Sequence, residues 1–209
     1  MINPDRVLAL LTPFGIELTA SQVDQVITYL DLLMRWNRKI NLTSIRDVDE
    51  CITRHFGESL FLSRWLTLEG RHIDVGSGAG FPGLALKIVF PLLAVTLLEP
   101  IGKKRAFLKE VVRTCEMVAV DVRPERLDEF VKGHPAAGFD SASFRAVGDP
   151  EILISGLAPL LKAGGKLCLW LTREKSNEVI LASKRVTWRP IFQIPTGRRR
   201  VICVGSRVT

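Results

Sequence analysis

The stretch Ile73-Asp74-Val75-Gly76-Ser77-Gly78-Ala79-Gly80-Phe81-Pro82-Gly83 holds the residue types best suited to gripping a nucleotide. An apolar run closes on an acid, glycines follow at alternate positions, and a helix start comes next. Glycine there permits positive φ and lets a ligand approach bare backbone. Pro82 suits the first turn of a helix, where its missing N–H has no partner to lose. Strand, glycine turn and helix N-terminus together build a nucleotide-type pocket at the carboxyl edge of a parallel sheet. Two spacings coexist. Gly78, Gly80 and Gly83 fit G-x-G-x-x-G, the dinucleotide fingerprint. Gly76, Gly78 and Gly80 fit G-x-G-x-G two residues after an acid, the pattern of S-adenosylmethionine (AdoMet) enzymes. Asp74 at the loop mouth would repel a pyrophosphate but stabilise the ammonium and sulfonium of AdoMet. In the dinucleotide register Gly76 and Ser77 would already intervene between the strand and the first fingerprint glycine. The residues therefore favour AdoMet over NAD, and either over a turn that holds nothing. Glu99 ends the next apolar run 23 positions after Gly76, close to the ~20-residue offset at which a second strand sets a carboxylate against ribose hydroxyls. That feature fits both cofactors.

The elements that must position these groups follow from periodicity. Residues 1–65 read as helical. Thr19 and Gln22 match a capping box, and Val23, Val26, Ile27, Leu30, Leu33, Met34 and Ile40 recur at three- and four-residue steps. The polar strip Asn41-Leu42-Thr43-Ser44 should end that helix, and a second helical run covers roughly Val48 to Trp65. His55 within it reads as a partly buried residue with a backbone or carboxylate partner rather than as a catalytic one. From Arg71 onward short apolar runs alternate with helical segments: strands near 71–75, 93–99, 117–122, 140–144 and 165–171, helices near 82–90, 102–115, 150–162 and 173–184. This predicts an α/β fold, a Rossmann-like, mostly parallel sheet with helices on both faces. Val186 to Ile194 and Arg200 to Val204 read as two strands about a turn at Pro195-Thr196-Gly197, an antiparallel pair at the sheet edge. The expected division is a helical region, 1–66, packed on a core, 67–209.

At 209 residues and 47% apolar, the chain suits one domain with a sizeable core. No stretch reaches 18 apolar residues without a charge, so no membrane span is expected, and Pro4, Asp5 and Arg6 precede too short an apolar run for a signal peptide. Cys51, Cys115, Cys168 and Cys203 are far apart without a C-x-x-C pair, which disfavours structural zinc and disulfides and fits a reducing cytoplasm. The net charge of +7 is uneven. Residues 161–209 hold 11 Lys or Arg and 2 Glu, a balance of +9; the other residues hold 18 against 20, a balance of −2. Such a gradient suits a polyanionic partner. Lys103, Lys104 and Arg105 form one basic cluster and Arg198, Arg199 and Arg200 another. A solvated basic surface is the bland alternative.

With these pieces placed, the chain resembles the ribosomal RNA small-subunit methyltransferase G family, also called glucose-inhibited division protein B, over nearly its whole length. Leu32-Leu33-Met34-Arg35-Trp36-Asn37 running into Asn41-Leu42-Thr43 carries the resemblance, with Arg54-His55, Glu58-Ser59, the 74–83 loop, Gly102-Lys103-Lys104-Arg105-Ala106-Phe107-Leu108, Phe139-Asp140 and Arg145-Ala146. The glycine loop is shared with many AdoMet enzymes; the W-N-x-x-x-N-L-T string is far more particular. The resemblance implies methyl transfer from AdoMet to N7 of one guanine in small-subunit (16S) ribosomal RNA, either naked or in an assembling subunit. It also implies that Gly76 and Phe81 line the cofactor, Asp74, Gly78 and Gly80 shape the loop, Glu99 binds the ribose, and Leu127 and Asp128 border the adenine. Arg145 would face cofactor and target base. Relatives commonly end the strand after Gly164-Gly165 with a lysine and a glycine. Here the strand reads Leu169-Trp170-Leu171-Thr172, so either Arg173, the first cation, substitutes or the contact is absent.

Guanine N7 carries a free lone pair, so methylation there needs no prior proton removal. A pyrimidine-C5 methylase needs a cysteine nucleophile and exocyclic-amine methylases favour Asn/Asp-Pro-Pro-aromatic; Phe144-Arg145-Ala146-Val147 offers neither. Catalysis would then be mostly alignment, with Arg145 nearest the chemistry, no general base and no metal. An ion pair between Arg145 and a carboxylate such as Asp140 is the structural alternative. RNA contacts fall to Lys103, Lys104, Arg105, Arg173 and the basic C-terminal hairpin. A monomer is expected. An NAD-dependent oxidoreductase is the competing enzyme class, although the chain's one tyrosine, Tyr29, lies in the N-terminal helices. A catalytically silent RNA-binding protein is the other alternative.

Overall fold

The computed structural model describes residues 2–135, 138–146, 148–183, 185–197 and 199–208. Among them the helical N-terminal third opens with α1 (Pro4–Leu11), whose first turn is capped by the Asn3 side chain accepting from the Asp5 N–H. Helix α2 (Ala20–Asn37) begins at the predicted reciprocal capping box of Thr19 and Gln22. It buries Val23, Val26, Leu30 and Leu33, and also Tyr29 and Leu32. Asn37 explains the particular string that follows it. Its side-chain carbonyl accepts from the N–H groups of Leu42 and Thr43, while its amide donates to the carbonyls of Thr43 and Ile45. One buried amide thus fixes the loop Asn41–Ile45. Helix α3 (Val48–Cys51) runs through a π segment, Ile52–Gly57, into α4 (Glu58–Leu60) and a 3₁₀ turn, Phe61–Arg64. A π segment rotates the side chains beyond it and is often found at functional sites.

The remainder is an eight-stranded sheet: β1 (Arg71–Val75), β2 (Ala94–Leu98), β3 (Val120–Arg123), β4 (Phe139–Arg145), β5 (Leu161–Thr172), β6 (Val186–Trp188), β7 (Phe192–Gln193) and β8 (Arg200–Arg207). The order is 3-2-1-4-5-8-6, with β7 also on β8. The first five strands are parallel; β8 is antiparallel to β5, β6 and β7. The crossovers are α5 (Gly83–Val89), α6 (Gly102–Thr114), α7 (Leu127–Gly133), α8 (Pro150–Leu157) and α9 (Arg173–Ala182). One face of the sheet packs with the N-terminal helices, α5 and α6, the other with α7, α8 and α9. Sheet order reverses between β1 and β4, the switch point at whose carboxyl ends ligands sit in such folds.

Three expectations change. The C-terminal strands do not simply form an edge pair: β8 inserts between β5 and β6, and Arg189-Pro190 breaks the run 186–194 into β6 and β7, because proline cannot donate to a ladder. The helix expected over 150–162 ends at Leu157, and β5 starts at Leu161 after a 3₁₀ turn. Helix α7 was not expected, although Leu127, Phe130 and Val131 have helical spacing. Among the described residues no helix is long and apolar enough to cross a membrane.

Candidate functional site

At the carboxyl ends of β1 and β2 the glycine loop closes a cavity of about 460 Å³. Gly76, Gly78, Phe81, Glu99 and Arg145 line it, together with Lys104, which the sequence reading assigned to RNA contact, and with Thr43, His55 and Arg126. Helix α5 starts at Gly83 with Pro82 as its cap, after a cis Phe81–Pro82 bond. Gly76, Gly78 and Gly80 all have positive φ. Glu99 is nearly buried and knits the pocket: one oxygen accepts from the Gly78 N–H at 2.8 Å, the other from the Ile101 N–H at 2.9 Å. A carboxylate has about four acceptor sites, so both oxygens keep capacity for a ligand's hydroxyl groups.

Asp74 is placed otherwise than its position at the loop suggested. It is fully buried beneath α5 and accepts from Ser143 Oγ at 2.5 Å, and a Cβ on Gly83 would come within 2.9 Å of its carboxylate. It does not reach the loop mouth, so it cannot meet a bound cation there as the sequence suggested; among the described residues Glu99 is the carboxylate that lines the cavity. Burial pushes Asp74 up to about 6. Ser143 also meets His72 Nε2 at 2.8 Å, and His72 Nδ1 meets Ser141 Oγ at 2.7 Å. Since Ser143 spends its only proton on Asp74, His72 donates to it from Nε2, and a neutral ring then accepts at Nδ1. Burial holds His72 at about 3 and therefore neutral.

Phe81 is clamped between two rings. Tyr29 stacks on it with centroids 5.2 Å apart and His55 with centroids 4.7 Å apart. Tyr29 donates to the Ala79 carbonyl at 2.5 Å, and His55 Nε2 meets Thr43 Oγ1 at 2.8 Å. Burial and the neighbouring Arg145 and Arg54 push His55 down to about 3. The N-terminal helices therefore shape the loop directly, a link no local pattern announced.

Arg145, at the end of β4, pairs with Glu58 at 2.9 Å, not with Asp140, which is engaged by Lys162 at 2.6 Å. Glu58 also pairs with Arg200 at 2.7 Å. Beyond Arg145 and Ala146, which line both, lies a second cavity of about 450 Å³, walled by Arg54, Phe144, Trp170, Lys175 and Arg200. Glu58, Arg54 and Trp170 are site residues that the sequence reading left without a role.

Other expected residues lie elsewhere. Gly80 faces α2: a Cβ there would land on the Tyr29 hydroxyl. Leu127 is buried in the second core and Asp128 is exposed; neither lines the cavity, whereas Arg126 does. Lys103 is exposed, and Arg105 turns back to donate to the carbonyls of Glu99 and Pro100. Arg173 and Arg199 are exposed beside one another, the Arg173 N–H bonding the Arg199 carbonyl at 2.8 Å. Arg198 lies outside the described residues.

Comparison with known proteins settles the family. The sequence model described as rRNA small subunit methyltransferase G matches residues 22–194. The chain belongs to that family. It is 40% identical over 185 residues to ribosomal RNA small subunit methyltransferase G of Chloroflexus aggregans, covering 87% of this chain and 78% of that one. The namesake from Staphylococcus saprophyticus is 39% identical over 209 residues, with 94% and 87% covered. Among solved structures, an AdoMet-dependent methyltransferase from Aquifex aeolicus superposes with a TM-score of 0.61 at 14% identity, covering 76% of this chain and 93% of its own. An rRNA methylase from Streptococcus thermophilus gives 0.54, also at 14%, with 73% and 95% covered. These two likenesses carry the fold, a Rossmann-like AdoMet-dependent methyltransferase sheet. The W-N-x-x-x-N-L-T string that carried the resemblance is the loop clasped by Asn37, and its Thr43 touches the cavity-lining His55.

Proposed function

We propose that this chain transfers a methyl group from AdoMet to N7 of a guanine in small-subunit ribosomal RNA, as a cytoplasmic monomer. One observation carries the chemistry: among the described residues every carboxylate and imidazole lining the two cavities already has a partner, and burial leaves His55 a weak base. His55 is neutral and bonded to Thr43, Glu58 is held by two guanidiniums, and Glu99 accepts from two backbone N–H groups. Cys168, on the adjacent strand β5, is buried, and burial pushes it up to about 12. Such a site suits an acceptor atom with its own lone pair.

The residues present fit AdoMet. Gly76 and Gly78 present bare backbone, Glu99 offers acceptors to a ribose diol, and the clamped Phe81 offers an apolar wall. When bound, the sulfonium supplies an activated methyl group. The protein's part is to seat both reactants and align them; alignment of this kind is worth several kcal/mol. Arg145 stands on the wall between the cavities, so the second cavity is the natural seat for the base. The cations around it, with Lys103, Lys104, Arg173 and Arg199, would hold phosphates, giving salt-sensitive affinity.

The test is transfer of labelled methyl from AdoMet to small-subunit RNA, naked and in assembling particles, followed by chemical cleavage at 7-methylguanine. Label at one guanine is expected. Label on another atom or base would remove the N7 assignment, and no label with either substrate would leave the silent RNA-binding alternative. Calorimetric titration with AdoMet and with NAD separates the two cofactors.

A further inference from the structure

Glu58 comes from the N-terminal helices yet touches three strand ends. Its carboxylate pairs with Arg145 of β4 and Arg200 of β8, and its backbone carbonyl accepts from Trp170 Nε1 of β5 at 2.7 Å. It is fully buried, and it is the one carboxylate lining the second cavity among the described residues, against Arg54, Arg145, Lys175 and Arg200. Two guanidiniums gathered on one buried carboxylate contribute little net stability, because desolvation offsets their attraction. What such an arrangement does well is fix geometry. Arg145 is the clearer case. Its donors go to Glu58 Oε2, to the Arg54 carbonyl at 2.6 Å and to Ser59 Oγ at 3.3 Å. A guanidinium has five N–H donors, so those that remain are set in direction on the wall between the cavities. Arg200 is the first residue of the strand that follows the basic turn, so its pairing ties the RNA-facing hairpin to the same point.

We propose that Glu58 is a positioning residue of the methyl transfer, one that holds Arg145 and Arg200 in a single arrangement so that RNA seated on the hairpin presents its base at the shared wall. This rests on the function proposed above. Glu58→Gln keeps the shape but removes the charge that organises the pair. The local charge becomes more positive, so RNA attraction does not weaken; what is lost is alignment. The expected result is a split: kcat, normalised to AdoMet-binding sites, falls on the order of 10²-fold, KM for RNA does not rise, and the AdoMet Kd moves by less than about fivefold. A role confined to stability would lower the melting temperature and the number of AdoMet-binding sites but leave kcat per site alone.

A folded Glu58→Gln variant with kcat within about twofold of wild type, or one in which only KM rises, overturns the proposal. Should that variant not fold, Glu58→Asp decides. It keeps the charge but withdraws the carboxylate by one methylene, so kcat per site should again fall, and a value within about twofold of wild type overturns the proposal equally. Wild-type enzyme run alongside distinguishes the two failures. Without wild-type transfer to RNA the function itself is wrong; with transfer in both, only the role of Glu58 is.

Discussion

Gly78 and Gly80 lie two residues apart with φ of +57° and +89°, yet a methyl group on each would meet different surroundings. Beside Gly78 the nearest atom is the Gly76 carbonyl oxygen at 3.7 Å; beside Gly80 the Tyr29 hydroxyl, Leu84 and Leu108 fill the space. Either substitution carries the left-handed backbone penalty of about 1–2 kcal/mol, but only Gly80→Ala adds overpacking of about 1–3 kcal/mol. Gly78→Asp should therefore stay folded while losing AdoMet, since its carboxylate would enter the cavity beside Glu99, which already accepts from the Gly78 N–H. Gly80→Ala should show the larger loss of melting temperature. Calorimetric titration and thermal unfolding check both, and normal AdoMet binding by folded Gly78→Asp would remove the loop from the cofactor site.

The hairpin of β7 and β8 meets the first turn of α9 where Arg173 bonds Gln193 Oε1 at 2.8 Å and the Arg199 carbonyl accepts from the Arg173 N–H. Arg200, committed to Glu58, is a poor reporter of simple phosphate contact, whereas Arg173 and Arg199 point outward. Arg173→Ala with Arg199→Ala should weaken RNA binding and flatten its dependence on salt by about one unit of slope per lost contact. The AdoMet affinity should stay put. An unchanged slope in filter-binding titrations would move the RNA path off this edge. What the sequence revealed about such elements depends on how local their causes are. The Thr19–Gln22 cap, the glycine loop and Glu99 are set by residues within one turn or one strand, and their spacing showed it. The Arg145–Glu58 pair spans 87 positions, so no window could hold it. The direction of Asp74 was hidden for another reason: β1 is buried on both faces, so no polar alternation marks which side is which.

At the scale of the whole molecule, two apolar clusters lie on opposite faces of one sheet, and the seam of Ser141, His72, Ser143 and Asp74 runs through β1 and β4 between them. Its titration should be visible in global stability. An unfolded histidine takes a proton below its ordinary 6.5, but His72 in the fold does so only at about 3. Between those values the unfolded chain binds more protons, so stability falls as pH is lowered, by about 2 kcal/mol at pH 5. His55, held down at about 3, acts in the same sense. Asp74 opposes them. Raised from 3.8 to about 6, it is protonated first in the fold and returns about 1 kcal/mol between pH 7 and pH 5, with Glu58, also raised, adding in that sense. Two histidines outweigh one strongly shifted carboxyl, so the protein should be less stable at pH 5 than at pH 7. His72→Gln keeps a donor and an acceptor between the two serines but cannot ionise. Urea unfolding at the two pH values should show the difference shrinking by about 2 kcal/mol in that variant. An undiminished difference would mean that His72 takes up its proton inside the sheet as readily as in the unfolded chain, with Nδ1 then donating to Ser141.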